Sequence, residues 1–353
     1  MQVMKPQPLL ARQLQHLLII CLVSILAGIF YQTMLLGYFD HNAFILGLML
    51  GLGFYLFKYF ATPKLDKAIL RFPLVIKIIL NTLAYSSLVY IVANISGFMI
   101  GLINGRTLTE FLDSLFFKSQ FYLIGYCLIL FSLMTFVSHI SNLLGEGVLM
   151  NLLIGKYHKP VQEERIFMFL DLCSSTVIAE KLDTFEYSSF LKDFFLDIDD
   201  AVVESKGAII QFVGDEVVIV WKVKDGIERN NCVRFFPLAK SRILRKKQYY
   251  QDKYGVIPKF KAGLHYGKIV ITEVGGTKQE IAYHGDTINT TAHIRSECTS
   301  SKKDLLVSAD LLSILENIDL KYYVESVGIV SLKGKENVIG LIAVEKKGSK
   351  SSN

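Results

Sequence analysis

The sequence predicts an α-helical membrane domain of four spans followed by a water-soluble α/β domain. Two observations predict it. Long apolar runs crowd the first 143 residues, and beyond residue 165 short β-branched runs alternate with helical patterns. The averages blend two objects: 353 residues that are 52% hydrophobic and only 20% charged, with a mean hydropathy of +0.39. A chain this apolar is not disordered, and a wholly soluble enzyme rarely reaches such values.

A spanning helix needs about 20 apolar residues. The spans are placed at about 14–39, 43–60, 78–103 and 120–144. The second is short, and Lys58 near its end can snorkel. Four runs in one half argue against buried helices of a soluble protein, and the first is too long for a signal peptide. Basic residues alternate with the spans. Lys5 and Arg12 precede the first, and Lys58, Lys64, Lys67 and Arg71 stand against Asp66 between the second and third. The other two loops hold Asp40, and Arg106 and Lys118 balanced by Glu110 and Asp113. This pattern puts both termini in the cytoplasm of a multi-pass protein of the cell's inner (plasma) membrane. The spans contain no Asp or Glu, so the bundle reads as an anchor or sensor rather than an ion path. Cys21, Cys127, Cys173, Cys232 and Cys298 form no CxxC and read as free thiols of a reducing compartment.

Residues 144–164 read as a coupling linker, with a short amphipathic helix at 147–154 and a break at 155–160. Ile166 to Leu170 is a continuous apolar run ending at Asp171, the pattern of a central strand buried on both faces. Cys173-Ser174-Ser175-Thr176 follows at a strand-to-helix turn, where backbone N–H groups suit phosphate oxygens and where Ser and Thr are also ordinary caps. A helix at 185–205 carries a core stripe of Tyr187, Phe190, Leu191, Phe194, Phe195 and Ile198. The runs 208–213 and 217–221, joined by Gly214-Asp215-Glu216, read as a β-hairpin. Asp215 is either a turn former or a carboxylate converging with Asp171, and two such carboxylates suit Mg²⁺ and a triphosphate. The basic helical region 228–254 carries Arg242, Arg245, Lys246 and Lys247 without a nucleic-acid reader motif, so no nucleic acid is expected as a partner. Further on, 259–264 reads as a strand, His265-Tyr266-Gly267 as a turn and 269–271 as another strand. Gly285-Asp286-Thr287 opens a helix on which Asn289 and His293, four apart, share a face. Strands at 322–327 and 330–332, the Lys333-Gly334-Lys335 turn and a strand at 340–344 close the domain, and 347–353 read as a disordered tail.

Five short motifs occur in order: Phe169-Leu170-Asp171-Leu172 with Ser175-Thr176, Val213-Gly214-Asp215-Glu216, Gly263-Leu264-His265-Tyr266-Gly267, Gly285-Asp286-Thr287-Ile288-Asn289-Thr290 and Leu332-Lys333-Gly334-Lys335. Together they make residues 165–346 resemble the catalytic domain of the class III nucleotidyl cyclases. The four spans in front resemble the bacterial membrane-bound members. The resemblance implies a ferredoxin-like βαββαβ core and a head-to-tail homodimer with active sites at its interface. It implies that Asp171 and Asp215, with the Leu172 carbonyl, bind two Mg²⁺ or Mn²⁺ ions. The amides of Cys173, Ser174, Ser175 and Thr176 would hold phosphates, with Gly214 and Asp286 beside the nucleotide. The other protomer would supply Asn289 for the ribose and Lys333 or Lys335 for the phosphates. The implied reaction is attack of the 3′ hydroxyl of ATP on the α-phosphate, releasing pyrophosphate, in which positioning and charge neutralisation do most of the catalysis.

Three departures qualify this. His293 stands where the family has a transition-state Arg, and Arg295 lies two residues on, roughly on the opposite side of the helix. Gln211 and Ala282 stand at the base-selecting positions and match neither the adenylate nor the guanylate set. The expectation is an adenylate cyclase, with GTP as the alternative substrate and a slow or silent pseudo-cyclase as the alternative state. A diguanylate cyclase would need a Gly-Gly-Asp/Glu-Glu-Phe hairpin, and this chain reads Val213-Gly214-Asp215-Glu216-Val217.

Overall fold

The computed structural model describes residues 42–56, 72–103, 118–144, 148–277, 279–331 and 338–348, with scattered residues from 17 to 33 and 105 to 109. The Lys333-Gly334-Lys335 turn and most of the first apolar run lie outside the described residues. The chain divides into two compact units, Met1–Ile140 and Ser141–Asn353.

In the first unit, the described residues between Leu17 and Thr33 are helical. Three further helices are α1 (Asn42–Leu56), α2 (Leu74–Ile103) and α3 (Lys118–Leu144), the last ending in the second unit. Among the described residues one helical stretch, Leu74–Met99, is long and apolar enough to cross a membrane, with a mean hydropathy of 1.8. Its Val75, Ile79, Leu83, Ile91 and Ile95 are exposed, as are Leu18, Leu22, Leu26 and Phe30, four apart on the first helix. Small residues let these helices touch. A Cβ on Gly47 would lie 2.4 Å from the Ile25 Cα, and one on Gly51 would lie 2.7 Å from the Cys21 Cα. Glycine permits this approach because any larger side chain would meet the facing backbone.

The second unit begins, after the short helix α4 (Val148–Leu153), with β1 (Val161–Leu172). There follow α5 (Ser175–Lys181), α6 (Thr184–Glu204), β2 (Ala208–Val213), β3 (Glu216–Lys222), α7 (Val223–Ile227), α8 (Asn231–Arg245), α9 (Lys247–Tyr254) and β4 (Phe260–Val274). The chain closes with β5 (Glu280–His284), α10 (Asp286–Ser300), β6 (Leu305–Ser308), α11 (Ala309–Ser313), β7 (Tyr322–Ser331) and β8 (Val338–Lys346). The eight-stranded sheet has the order β2-β3-β1-β4-β6-β8-β7, with β5 paired to β4. Its first four strands pair antiparallel with one another and are connected βαββαβ, while β4 pairs parallel with β6.

Strand β1 is central, and its continuous apolar run follows from burial on both faces. Ile166, Met168 and Leu170 enter the core formed with α6, α8 and α9, through Phe190, Phe194, Phe235, Ile243 and Tyr250. Phe167 and Phe169 point the other way, onto Ile269 and Ile271 and against Tyr157. The alternation is the period-two geometry of a strand. Helix α10 serves this second side: Ile288 and Ala292 pack on the Phe167 cluster, and Ile294 and Cys298 on Leu306 and Leu341.

Three local readings of the sequence are corrected. His265-Tyr266-Gly267 is not a turn: it runs straight through β4, paired with Phe167, Ile166 and Arg165 of β1. Strand β1 begins at Val161 rather than near 166, because Val161 to Arg165 pair with Ile271 to Gly267. The strands expected at 322–327 and 330–332 are one strand, with a register shift between Ser326 and Gly328. Acids of α6 hold the basic residues at the end of α8: Arg242 pairs with Asp200 at 3.1 Å and with Glu204 at 3.0 Å, and Lys246, just past the helix, pairs with Asp197.

Candidate active site

Asp171 is the penultimate residue of β1 and lies opposite Glu216 on β3 and Lys261 on β4. Asp215 precedes Glu216 at the two-residue tip of the β2–β3 hairpin, where Gly214 takes the left-handed φ of 61°. The Asp171 and Asp215 side chains come within hydrogen-bonding reach of each other. Two residues 44 apart in the sequence are thus joined by the register of one antiparallel pair.

The electrostatics follow from the crowding. Burial pushes the Asp171 carboxyl up, the Arg295 guanidinium pulls it down, and Asp215 and Glu216 push it up again, leaving it at about 6. Glu216 is raised for the same reasons: burial first, offset by Arg295, then reinforced by Asp215. The phenol of Tyr187 on α6 is raised by burial and then by the charges of Asp215 and Asp171. Hard carboxylate oxygens that repel one another suit Mg²⁺ or Mn²⁺. Among the described residues no three or more His, Cys, Asp or Glu gather as a complete metal cage. These two carboxylates could hold a cation only with added backbone carbonyl, water or ligand oxygens, which is how Mg²⁺ is commonly held.

Beyond β1 the chain turns through Ser174, which has a left-handed φ of 58°, into α5. The Cys173 amide donates to the Lys259 carbonyl at 2.7 Å. That amide is engaged within the chain, which narrows the phosphate reading to Ser174, Ser175 and Thr176. The first amides of a helix lack intrahelical acceptors. Gln211 is exposed on β2 beside a register shift, and Ala282 is half-buried on β5 opposite Thr272. On α10, Asp286 and Asn289 are exposed and His293 is half-buried.

Arg295 is turned inward. Its Nη1 donates to Asp171 Oδ2 at 3.1 Å, and its Nη2 lies 2.6 Å from Glu216 Oε2. Three of these residues carry no site signal of their own in the sequence: Arg295 lies off the Asn289–His293 face, Glu216 follows the hairpin tip, and Tyr187 falls on the apolar stripe of α6. The overlooked signal was Gly263 and Gly267, four apart on one face of a strand. A Cβ on Gly263 would lie 2.4 Å from the Arg295 amide nitrogen, and one on Gly267 would lie 2.5 Å from Thr287 Oγ1. The pair lets α10 lie flat on β4, and that contact aims Arg295 at Asp171. Gly263→Ala is expected to destabilise the domain by about 1–3 kcal/mol through overpacking against backbone. Gly267→Ala meets a side chain and should cost less. Thermal denaturation of both variants checks the order.

Residues 157–343 match the family described as the adenylate and guanylate cyclase catalytic domain. The chain is 35% identical to adenylate cyclase 2 of Rhizobium meliloti (strain 1021), over 59% of this chain and 57% of that protein. It is 27% identical to retinal guanylyl cyclase 2 of Homo sapiens, over 51% of this chain and 16% of that one. The alignments thus span about half of this chain and at most about half of these relatives. In fold it resembles a bacterial light-regulated adenylyl cyclase, with a TM-score of 0.53 at 16% identity over 63% of this chain and 66% of that structure. A β1 carboxylate meeting a hairpin carboxylate on a βαββαβ sheet, together with the match over residues 157–343, places this chain in the family of adenylate and guanylate cyclase catalytic domains.

Proposed function

We propose that the chain is an integral-membrane adenylate cyclase that converts ATP to 3′,5′-cyclic AMP and pyrophosphate at sites shared by two copies of the chain. The observation that carries this reading is the meeting of Asp171 and Asp215, in hydrogen-bonding reach at the β2–β3 tip. These carboxylates, with the Leu172 carbonyl, would hold two Mg²⁺ or Mn²⁺ ions. When bound, the ions would supply charge neutralisation for the triphosphate and activation of the attacking oxygen. The amides of Ser174, Ser175 and Thr176 would orient phosphate oxygens, with Gly214 close by. A second copy would bring Asn289 to the ribose, Lys333 and Lys335 to the phosphates, and His293 to the position the family gives to Arg. Gln211, Ala282 and Asp286 would border the nucleotide.

ATP is favoured over GTP by the higher identity to the Rhizobium adenylate cyclase, 35% against 27% for the human guanylyl cyclase. The membrane part of the proposal comprises four spans within 1–143 and a linker from residue 144 that leads into the catalytic domain, whose first strand starts at Val161, with both termini cytoplasmic. The apolar stretch Leu74–Met99 and the exposed apolar residues along it support a lipid environment. The test is the full chain in detergent with Mn²⁺ and either ATP or GTP, with product identified by chromatography. Cyclic AMP is the expected product. Cyclic GMP would reassign the substrate, and no cyclic nucleotide from either would point to the pseudo-cyclase that His293 suggests.

A further inference from the structure

We propose that Arg295 is a resident countercation of the metal-binding carboxylates, one that divalent ions must displace from Asp171 in order to bind. The inference rests on the assignment of Asp171 and Asp215 as metal ligands and adds a residue outside that ligand set. Its guanidinium forks across two strands, with Nη1 on Asp171 of β1 and Nη2 on Glu216 of β3. The two acids are neighbours in the β1–β3 register, so one planar fork reaches both.

The pairing is built in but incomplete. Arg295, Asp171 and Glu216 keep 30%, 26% and 13% of their side-chain exposure. Within this group the Glu216 Oε2 and the Arg295 Nε are buried without a hydrogen-bond partner, although the Glu216 ion pair is only 2.6 Å long. The Asp171 contact is the longer and more exposed of the two, one hydrogen bond of 3.1 Å, whereas the Glu216 contact is shorter, at 2.6 Å, and more deeply buried. A partly exposed pair held by one hydrogen bond can be exchanged for a stronger cation, whereas the shorter, more buried ion pair is costlier to break. Arg295 cannot retreat far, because Gly263 seats its backbone against β4. It therefore stays beside the site after Asp171 is released, and Glu216 remains its anchor.

Two consequences follow. In the metal-free protein Arg295 offsets part of the repulsion among Asp171, Asp215 and Glu216, so the carboxylates stay gathered. In the metal-loading step the same positive charge opposes an arriving dication at close range. Removing it is expected to tighten metal binding by about tenfold or more, since unit charges a few ångströms apart interact strongly in a partly buried site. Arg295 is also committed to its own chain's carboxylates, so it does not replace the guanidinium missing at His293.

The test is Mn²⁺ titration of the purified full chain without nucleotide, followed by the electron paramagnetic resonance signal of free Mn²⁺. Arg295→Gln is expected to lower the apparent dissociation constant about tenfold or more, while Arg295→Lys, which keeps the charge, stays within about threefold of the parent. If Arg295→Gln folds poorly, Arg295→Gln with Glu216→Gln, compared with Glu216→Gln alone, isolates the same factor without leaving Glu216 uncompensated. Binding as weak as the parent in the Arg295→Gln backgrounds, with Asp171→Asn still abolishing it, would overturn the role of Arg295. Binding unchanged in Asp171→Asn would instead overturn the metal assignment beneath it.

Discussion

Asp171→Asn is expected to lower cyclic nucleotide formation by about 10³-fold or more while leaving the metal-free protein at least as heat-stable as the parent. The loss follows from removing one of two anionic oxygens donors on which both cations would depend. The stability follows from the environment of Asp171. Its carboxyl sits at about 6 because burial and the neighbouring acids outweigh Arg295. The folded state therefore holds a proton more tightly than the unfolded chain, whose ordinary value is 3.8. Between about pH 4 and pH 6 the folded state binds more protons, so this group's contribution to stability falls as pH rises through that window. At neutral pH in a chelator the charge is a net cost, and an isosteric amide removes it. Loss of the Arg295 contact offsets part of the gain, so a melting temperature equal to or a few degrees above the parent's is expected. A drop of several degrees would identify Asp171 as a structural residue whose loss of activity is unfolding. The same scan from pH 4 to 7 should show a shallower slope in the variant.

His293→Arg is expected to raise turnover by about 10²-fold, the usual worth of one preorganised charge donor at a reacting phosphate. Helix α10 places His293 one turn beyond the exposed Asn289, half-buried on the side away from the inward-facing Arg295. Arg295 cannot be recruited there, because it leaves the helix on the opposite side and Glu216 still anchors its guanidinium when Asp171 is released. A longer cationic side chain at residue 293 would reach outward toward a nucleotide held by a second copy of the chain. An unchanged rate in steady-state assays would mean that residue 293 does not face the reacting phosphate. A gain in kcat with little change in KM is the signature of a contact made mainly in the transition state.

Much of the catalytic fold was legible because burial leaves strong local marks. The run Ile166 to Leu170 announced a strand covered on both sides, and the Gly214-Asp215 pair announced the hairpin that carries the second acid. What stayed hidden was non-local. His265-Tyr266-Gly267 has the composition of a turn, yet pairing with β1 holds it extended. Val161 to Arg165 is mostly polar and reads as linker, yet it pairs with the far half of β4. The inward aim of Arg295 depends on how deeply α10 settles on Gly263, a distance that helical periodicity does not encode. The Cys173 amide looked available to a phosphate because its acceptor, the Lys259 carbonyl, lies 86 residues away in the sequence.

The most direct test is to identify and count the products formed from ATP by the full chain with Mn²⁺. Cyclic AMP and pyrophosphate in equal amounts, absent in both Asp171→Asn and Asp215→Asn, are the predicted result. ADP with inorganic phosphate, or cyclic product that persists in either variant, would contradict the assignment of these two carboxylates to nucleotide cyclisation.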